Sequence, residues 1–279
     1  MTYEIFKMTA FPKETDGGNP AGVVLNADNL DEKTMQKIAK EVGYSETAFV
    51  FKSHVADFLV RFFTPQNEVD LCGHATIATF NLLRDKGVIS EGDYTQETKV
   101  GILKLIVDKQ FVYMEQVPPV FGRKIDSVEI EECFNEDDIV KEKYPIMILS
   151  TGMKEIFVPI KSVDKLNKLT PNITKIKELS LKYDVIGIHC FALVDDENVD
   201  AYGRNFAPIV GINEESATGT SNGALGCYLH KYCSFKKTIF TLRQGYSMNK
   251  PSEIITKLTI KNNEIATVFV GGTATKIID

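Results

Sequence analysis

Residues 61–76 read RFFTPQNEVDLCGHAT, and residues 204–222 read RNFAPIVGINEESATGTSN. Both stretches begin with Arg-x-Phe, continue through a proline and a polar loop, and end at a glycine that opens a helical pattern. Gly73 lies 12 residues after Arg61, and Gly219 lies 15 residues after Arg204. A motif that returns once over so long a period predicts two halves of about 140 residues with one architecture.

The chain before each motif supports this duplication. Residues 35–51 and residues 173–193 each combine a helical pattern, a tyrosine and an apolar strand pattern. Elsewhere, short alternating apolar segments bounded by Gly, Pro, Asn and Asp predict strands. Clear helical periodicity marks three segments, which are 30–42, 74–87 (with Gly87 placed as a C-cap) and 221–232. The sequence therefore predicts a strand-rich α+β protein.

Composition narrows the classes of partner. The 279 residues are 43% hydrophobic and 25% charged, which is ordinary for a globular chain long enough for two domains. The formal net charge is −6 and no long basic run occurs, so a small molecule is favoured over nucleic acid or an anionic membrane surface. No apolar run has the ~18 to 20 residues of a membrane helix, and we expect a cytoplasmic protein.

The five cysteines and four histidines are scattered along the chain and contain no Cys-x-x-Cys pair. Neither a disulfide framework nor a sequence-local zinc motif is predicted. Ligands brought together only by the fold stay possible. We expect Cys72, Cys190 and Cys227 to be small buried side chains.

The two glycine-led helix starts indicate an anion site, because the first turn of a helix exposes unpaired N–H groups and positive partial charge. Carboxylates and a histidine near these starts are candidates for proton transfer. They are Glu46 (in GYSETAFVF), His74, Glu68, Asp70, Glu214 and Glu215. Structural alternatives are a lysine-paired Glu46 and a His74 that caps its own helix. For Glu68, Asp70 and Glu214 we expect solvated loop charges.

Four segments in order, GGNPAGVV, GYSETAFV, RFFTPQNEVDLCGHATIA and APIVGINEESATGTSNGALG, resemble the PhzF-like phenazine biosynthesis proteins, relatives of diaminopimelate epimerase. The resemblance implies two similar α+β domains, each a β-barrel-like sheet around a central helix. It also implies an active site in the interdomain cleft and isomerisation by proton shift without cofactor or metal.

The resemblance assigns the general acid/base role to Glu46 and a second role to His74. The family's Glu-Asp-Pro-x-Thr-Gly-Ser-Ala motif appears here with Glu215 for the aspartate, Ser216 for the proline and Thr220 for the serine. The epimerase relatives use two opposed cysteines, whereas this chain has Cys72 but Thr218. A hydroxyl is too weak an acid to replace a thiol, so a two-thiol mechanism is excluded.

These observations lead to one hypothesis and two alternatives. The hypothesis is an isomerase of a small carboxylate-bearing metabolite, in which Glu46 transfers the proton while His74 and Glu215 set its protonation and orient the substrate. The substrate-binding candidates are Asn19, Gly73, Ala75, Gly219, Thr220 and Ser221. The alternatives are a non-catalytic small-molecule binder and a one-thiol racemase that uses Cys72 with Glu46.

The predicted domains span residues 1–118 and 119–264, and the final strand, within 265–279, is a candidate to return to the first domain. The boundary is placed near the Val117-Pro118-Pro119 step. The resemblance implies that a homodimer is possible, although no segment of the sequence marks the interface.

Overall fold

The structure is a computed structural model that describes residues 3–134, 136–233 and 235–278. The elements up to residue 116 are β1 Ile5–Ala10, β2 Asn19–Val24, α1 Glu32–Val42, β3 Glu46–Phe51, β4 Phe58–Phe63, β5 Glu68–Val69, α2 Gly73–Asp85, β6 Gly92–Thr98, β7 Gly101–Val107 and β8 Val112–Gln116. Those that follow are β9 Val120–Lys124, α3 Ser127–Glu131, β10 Met147–Ser150, β11 Lys154–Pro159, α4 Val163–Lys168, α5 Ile173–Tyr183, β12 Gly187–Leu193, β13 Ala201–Ala207, β14 Ile212–Glu215, α6 Gly219–Tyr232, β15 Ile239–Gln244, β16 Ser252–Lys261, β17 Glu264–Gly272 and β18 Ala274–Lys276.

The chain forms two compact units. Over the described residues, unit 1 comprises the chain up to residue 12, residues 18–115 and the chain from residue 271. Unit 2 comprises residues 13–17 and 116–270. The terminal strand β18 pairs antiparallel with β1, so the end of the chain completes the sheet of unit 1. The domain bounds inferred from the sequence stay a prediction.

The strands of the two units pair in the same pattern. In unit 1, β1 with β2, β3 with β4, β4 with β5 and β6 with β7 are antiparallel, and β2 with β3 and β4 with β6 are parallel. Unit 2 repeats each pairing with β10 to β16, and each unit places helices at the two parallel crossovers. The predicted duplication and the α+β class are confirmed.

Each unit has one helix that packs in its interior. In α2 every residue from His74 to Leu83 is buried, and in α6 every residue from Ser221 to Leu229 is buried. A helix that is buried all round carries apolar and small residues on every face, which explains the weak amphipathicity of both segments. The helix therefore presents its first turn, and not an exposed face, to a ligand.

Helices α1 and α5 cover the outer side of their sheets. Helix α1 buries Met35, Ile38 and Ala39, and its N-cap Asp31 accepts a hydrogen bond of 2.8 Å from the Thr34 N–H. It ends at Gly43, whose φ of 72° is left-handed and suits a residue without Cβ. Because α1 ends at Gly43, the chain can continue into β3, whose first residue is Glu46.

All three predicted helices form within two residues of their predicted ends. The short helices α3 and α4 were not predicted, because five or six residues show too little periodicity. Among the described residues, no helix combines the length and apolar character needed to span a membrane.

Candidate active site

Glu46 is the first residue of β3, beside Ala21 of the parallel strand β2. Its side chain is 17% exposed, and its buried Oε2 atom accepts no hydrogen bond of good geometry among the described residues. Such an oxygen is suited to accept a proton from a ligand.

His74 lies opposite this carboxylate, as the second residue of α2. Its Nε2 atom lies 3.2 Å from Glu46 Oε2, within ion-pair distance but outside hydrogen-bond geometry. The Nδ2 atom of Asn19 lies 3.3 Å from His74 Nδ1. With the Asn19 amide nitrogen in this position, Nδ1 is the acceptor and the ring proton lies on Nε2, on the side of Glu46. The hypothesis that His74 caps its own helix is wrong, since no side chain caps α2.

Helices α2 and α6 differ from the other helices at their N-termini. Neither α2 nor α6 has a side-chain cap or an acidic residue in the first turn. The remaining four helices are capped by Asp31, Asp126, Ser162 and Asn172. No N-cap side chain therefore binds the N–H groups of the first turns, which include those of Gly73, Ala75, Gly219 and Thr220, as an anion site requires.

Glu215 lies at the end of β14 and is half-buried. Thr218, the N-cap residue of α6, donates its hydroxyl to Glu215 Oε2 at 2.6 Å instead of capping the helix. The Gln244 side chain forms two hydrogen bonds to the same loop. Its Nε2 atom donates to the Glu215 carbonyl at 2.7 Å, and its Oε1 atom accepts a hydrogen bond from the Thr218 N–H at 3.2 Å. Gln244 is not recognisable from the sequence, because an amide at a strand end gives no signal of its partners.

Ser221 also departs from expectation. Its Oγ atom donates to the buried carboxylate of Glu155 and accepts from Asn205 Nδ2 at 3.1 Å. Only 2% of Ser221 is exposed. Ser221 is a substrate-binding candidate from the sequence, but its hydroxyl is already bonded inside unit 2, so the main-chain N–H is the group that stays a candidate for the ligand.

The Ser221 contacts belong to a buried polar cluster in unit 2. Asn205 Nδ2 lies 2.6 Å from Glu155 Oε1 and 3.3 Å from His189 Nδ1. Burial raises the pKa of Glu155, and burial lowers the pKa of His189 to about 3. His189 is therefore neutral, and the cluster holds the α6 start by hydrogen bonds between uncharged groups or with a single carboxylate.

Unit 2 has no counterpart of Glu46. In unit 1 Phe49 pairs with Arg61, and in unit 2 Cys190 pairs with Arg204, so the residues three positions earlier, Glu46 and Gly187, match. A Cβ on Gly187 would lie 1.8 Å from the Phe206 carbonyl oxygen. The backbone thus excludes a carboxylate at Gly187, so at this strand position only unit 1 carries a proton-transfer candidate.

The prediction of a solvated loop charge is wrong for two residues, Glu68 and Glu214. The Glu68 side chain is only 9% exposed. It forms a bidentate ion pair with Arg61, with hydrogen bonds of 2.7 and 2.9 Å. Hydrogen bonds from Arg61 lower the pKa of Glu68. Glu214 forms the same pair with Arg204, at 2.8 and 2.9 Å. The same pair geometry in the two units explains why Arg recurs in both motifs. Asp70 is exposed as expected.

No disulfide joins any of the five cysteines, all of which lie within the described residues, and Cys72, Cys190 and Cys227 are buried as predicted. Burial raises the pKa of Cys227 to about 12, so this thiol is unreactive. Cys72 differs because its Sγ atom lies 3.5 Å from His74 Nδ1. Among the described residues, Glu46, Cys72 and His74 are the group able to hold a metal ion.

The family model described as "Phenazine biosynthesis-like protein" (PhzC-PhzF) matches residues 8–279. A protein of Clostridium acetobutylicum named "Uncharacterized isomerase" is 38% identical over 98% of this chain and 95% of its own length. The trans-2,3-dihydro-3-hydroxyanthranilate isomerase of Pseudomonas chlororaphis is 30% identical over 94% of this chain and 93% of its own length.

A solved structure supports the fold. The Bacillus anthracis phenazine biosynthesis protein of the PhzF family is 33% identical and superimposes with a TM-score of 0.90, covering 100% of this chain and 98% of its own. The epimerase-related α+β fold predicted from the four sequence segments is confirmed.

Proposed function

Because the chain belongs to the phenazine biosynthesis-like (PhzC-PhzF) family, an isomerase family, we propose that it moves a proton between carbon atoms of a small carboxylate-bearing metabolite. The observation that carries this proposal is the pair of Glu46 and His74, whose Oε2 and Nε2 atoms lie 3.2 Å apart. Glu46 Oε2 accepts no hydrogen bond of good geometry among the described residues, so it is available to a carbon-bound proton.

The proposed proton shift conserves atoms and electrons. Glu46 takes a proton from a carbon adjacent to the substrate's conjugated or carboxylate group, and the electron pair of that C–H bond moves into this group. The protonated Glu46 then returns the proton to a second carbon, or to the other face of the first. The substrate is neither oxidised nor reduced, and the proposal includes no cofactor.

Binding of the substrate carboxylate falls to the first turn of α2, where no side chain caps the N–H groups of Gly73 and Ala75. Gly219, Thr220 and the main-chain N–H of Ser221 are proposed for a second polar group of the substrate. His74 presents Nε2–H to the Glu46 carboxylate, and Asn19 holds that tautomer. Glu215, fixed by Thr218, orients the substrate.

The test is deuterium incorporation. The protein is incubated in D2O with a fractionated metabolite extract of the organism that encodes it, and with trans-2,3-dihydro-3-hydroxyanthranilate as a defined carboxylate probe. Mass spectrometry detects carbon-bound deuterium, and chromatography detects isomers formed by internal transfer without exchange. We expect label or isomer in at least one carboxylate-bearing compound and loss of about 100-fold or more in Glu46→Gln.

Glu41→Gln is the matched control, since it makes the same change at an exposed position of α1. Equal activity of native protein and Glu46→Gln would overturn the assignment of the base. Binding of a fraction without label or isomer would instead favour the non-catalytic binder. The homodimer and the cytoplasmic location stay predictions.

A further inference from the structure

Three different metal-ligand atoms converge at the start of α2. The carboxylate oxygen of Glu46, the Sγ atom of Cys72 and the imidazole nitrogens of His74 all lie within 4.8 Å of one another. Glu46 Oε2 lies 3.2 Å from His74 Nε2, and Cys72 Sγ lies 3.9 Å from the same nitrogen. Glu46 is 26 residues before Cys72, so only the fold brings the set together.

These separations fit one tetrahedral ion. Zinc bonds of about 2.3 Å to sulfur and about 2.0 to 2.2 Å to nitrogen and oxygen place neighbouring ligand atoms about 3.3 to 3.6 Å apart. The two separations measured from His74 Nε2, 3.2 Å to Glu46 Oε2 and 3.9 Å to Cys72 Sγ, differ from those values by a few tenths of an ångström, within the reach of side-chain rotation. A thiolate, an imidazole and a carboxylate select zinc or cobalt over the oxygen-seeking magnesium and calcium.

The surroundings can also adapt to an ion on Nε2. Such an ion needs the ring proton on Nδ1, and Nδ1 faces the side-chain amide of Asn19 at 3.3 Å. A half-turn of that amide replaces its nitrogen by its oxygen, which then accepts Nδ1–H. His74 and Cys72 are buried, whereas Glu46 is partly exposed, so the fourth ligand position is left to water or a ligand.

The duplicated unit shows that the fold does not require these three residues. The positions that match Glu46, Cys72 and His74 in unit 2 are Gly187, Thr218 and Thr220. Unit 2 builds the same strand and helix start without a thiol, an imidazole or a carboxylate at those positions. The ligand set is thus a particular property of unit 1.

We propose that Glu46, Cys72 and His74 form an exchangeable site for a zinc-class divalent cation. Binding forms bonds from the ion to Oε2, Sγ and Nε2, displaces ion-bound water and releases the Cys72 thiol proton, while the ring proton of His74 moves to Nδ1. The bound ion occupies the carboxylate oxygen that takes the proton in the proposed isomerisation. The bound ion is therefore an inhibitor of that isomerisation. This part of the proposal rests on the proposed function.

Cobalt(II) is the probe, because its absorption spectrum reports coordination directly. We expect one Co²⁺ per chain, with the intense visible bands of a tetrahedral site and a thiolate-to-cobalt charge-transfer band. Cys72→Ser removes the charge-transfer band, and Glu46→Gln weakens binding by about tenfold or more. Cys233→Ser, at the half-buried free cysteine, is the matched control and leaves the spectrum unchanged.

Persistence of the charge-transfer band in Cys72→Ser, or the absence of saturable Co²⁺ binding, would overturn the site. Circular dichroism of the ion-free variants checks that they fold. A measurement without variants is alkylation mapped by mass spectrometry, in which Zn²⁺ must slow labelling of Cys72 in the native protein; equal labelling with and without Zn²⁺ counts against the proposal.

The binding readouts need no substrate, so they separate this inference from the proposed function. Cobalt binding without any isomerase turnover would retain the site and remove the function. Turnover without cobalt binding would do the reverse. If both are found, Zn²⁺ must inhibit turnover and a chelator must restore it; turnover unaffected by saturating Zn²⁺ would remove the inhibitory role.

Discussion

The carboxylate of Glu155 accepts a hydrogen bond of 2.6 Å from Asn205. Both residues are buried, with 2% of Glu155 and 0% of Asn205 exposed. Burial raises the pKa of Glu155 above its ordinary value of 4.5, although its hydrogen bonds act in the opposite direction. The folded chain therefore keeps a proton that the unfolded chain releases. Its stabilising effect is complete below about pH 4.5 and is lost as the pH rises through the folded pKa.

We predict that Glu155→Gln flattens this pH dependence. In the native protein the free energy of unfolding falls by up to about 1.4 kcal/mol per pH unit within the window above pH 4.5, because unfolding releases one proton. The variant has no such proton. Urea unfolding between pH 4 and 8 measures the difference in slope, with exposed Glu264→Gln as control. Parallel slopes for the native protein and Glu155→Gln would contradict the prediction.

The sequence was sufficient for the architecture because the duplication and the helix periodicity are local signals. Alternation revealed most of the apolar strands, but β6 (GDYTQET) contains a single apolar residue and β13 (AYGRNFA) has Gly-Arg-Asn at its centre, so neither shows it. Their strand structure comes from pairing with neighbours that are distant in sequence. The segment 13–17 that joins unit 2 was missed for the same reason.

The sequence identified Glu46, His74 and Glu215 as candidates, but not the groups that hold them. Asn19 was a substrate-binding candidate, and the structure places it against the His74 ring. Gln244 lies 29 residues after Glu215 in sequence, yet it bonds to that residue's carbonyl. Such partners are fixed by strand register, which periodicity does not contain.

The buried cluster illustrates the same limit. By strand register Glu155, His189 and Asn205 match Ala21, Ala48 and Phe62 of unit 1. A sequence pattern treats a polar residue in a strand as outward-facing, whereas here three such residues point inward and bond to one another. Polar burial becomes visible only when the partners are known.

The two arginine pairs should differ in energetic weight. Arg204 is 6% exposed in its side chain and adds hydrogen bonds of 3.0 and 2.8 Å to the carbonyls of Leu166 and Leu169. Arg61 is 26% exposed and has no such carbonyl contacts among the described residues. A lysine ammonium cannot reproduce the planar fork or its additional bonds.

We therefore predict that Arg204→Lys lowers the free energy of unfolding by about 2 to 4 kcal/mol, and Arg61→Lys by about 1 kcal/mol. Chemical denaturation of the two variants at neutral pH measures the difference. An equal loss in both would show that the carbonyl contacts of Arg204 add nothing to stability.

The Asn19 contact predicts the tautomer of His74. An amide nitrogen 3.3 Å from Nδ1 keeps the proton on Nε2. Asn19→Asp places a carboxylate oxygen there, which only accepts, so the ring proton shifts to Nδ1. Long-range ¹H–¹⁵N NMR distinguishes the two tautomers, with exposed His54 as internal reference and Asn67→Asp as control. A native His74 already protonated on Nδ1 would contradict the prediction.

The hydroxyl of Thr218 donates a hydrogen bond of 2.6 Å to Glu215 Oε2. The carboxylate is close enough for this bond because the glutamate side chain has a second methylene group. We predict that Glu215→Asp and Thr218→Val each lower kcat/KM by roughly tenfold, because each removes one charge-assisted hydrogen bond that orients Glu215. If the bond is the common cause, the double variant loses little more than either single variant. The deuterium-exchange assay supplies the rates, and Thr238→Val, in a loop before β15, is the control. Fully additive losses would show that Glu215 and Thr218 act separately, and the orienting role of this bond would then be rejected.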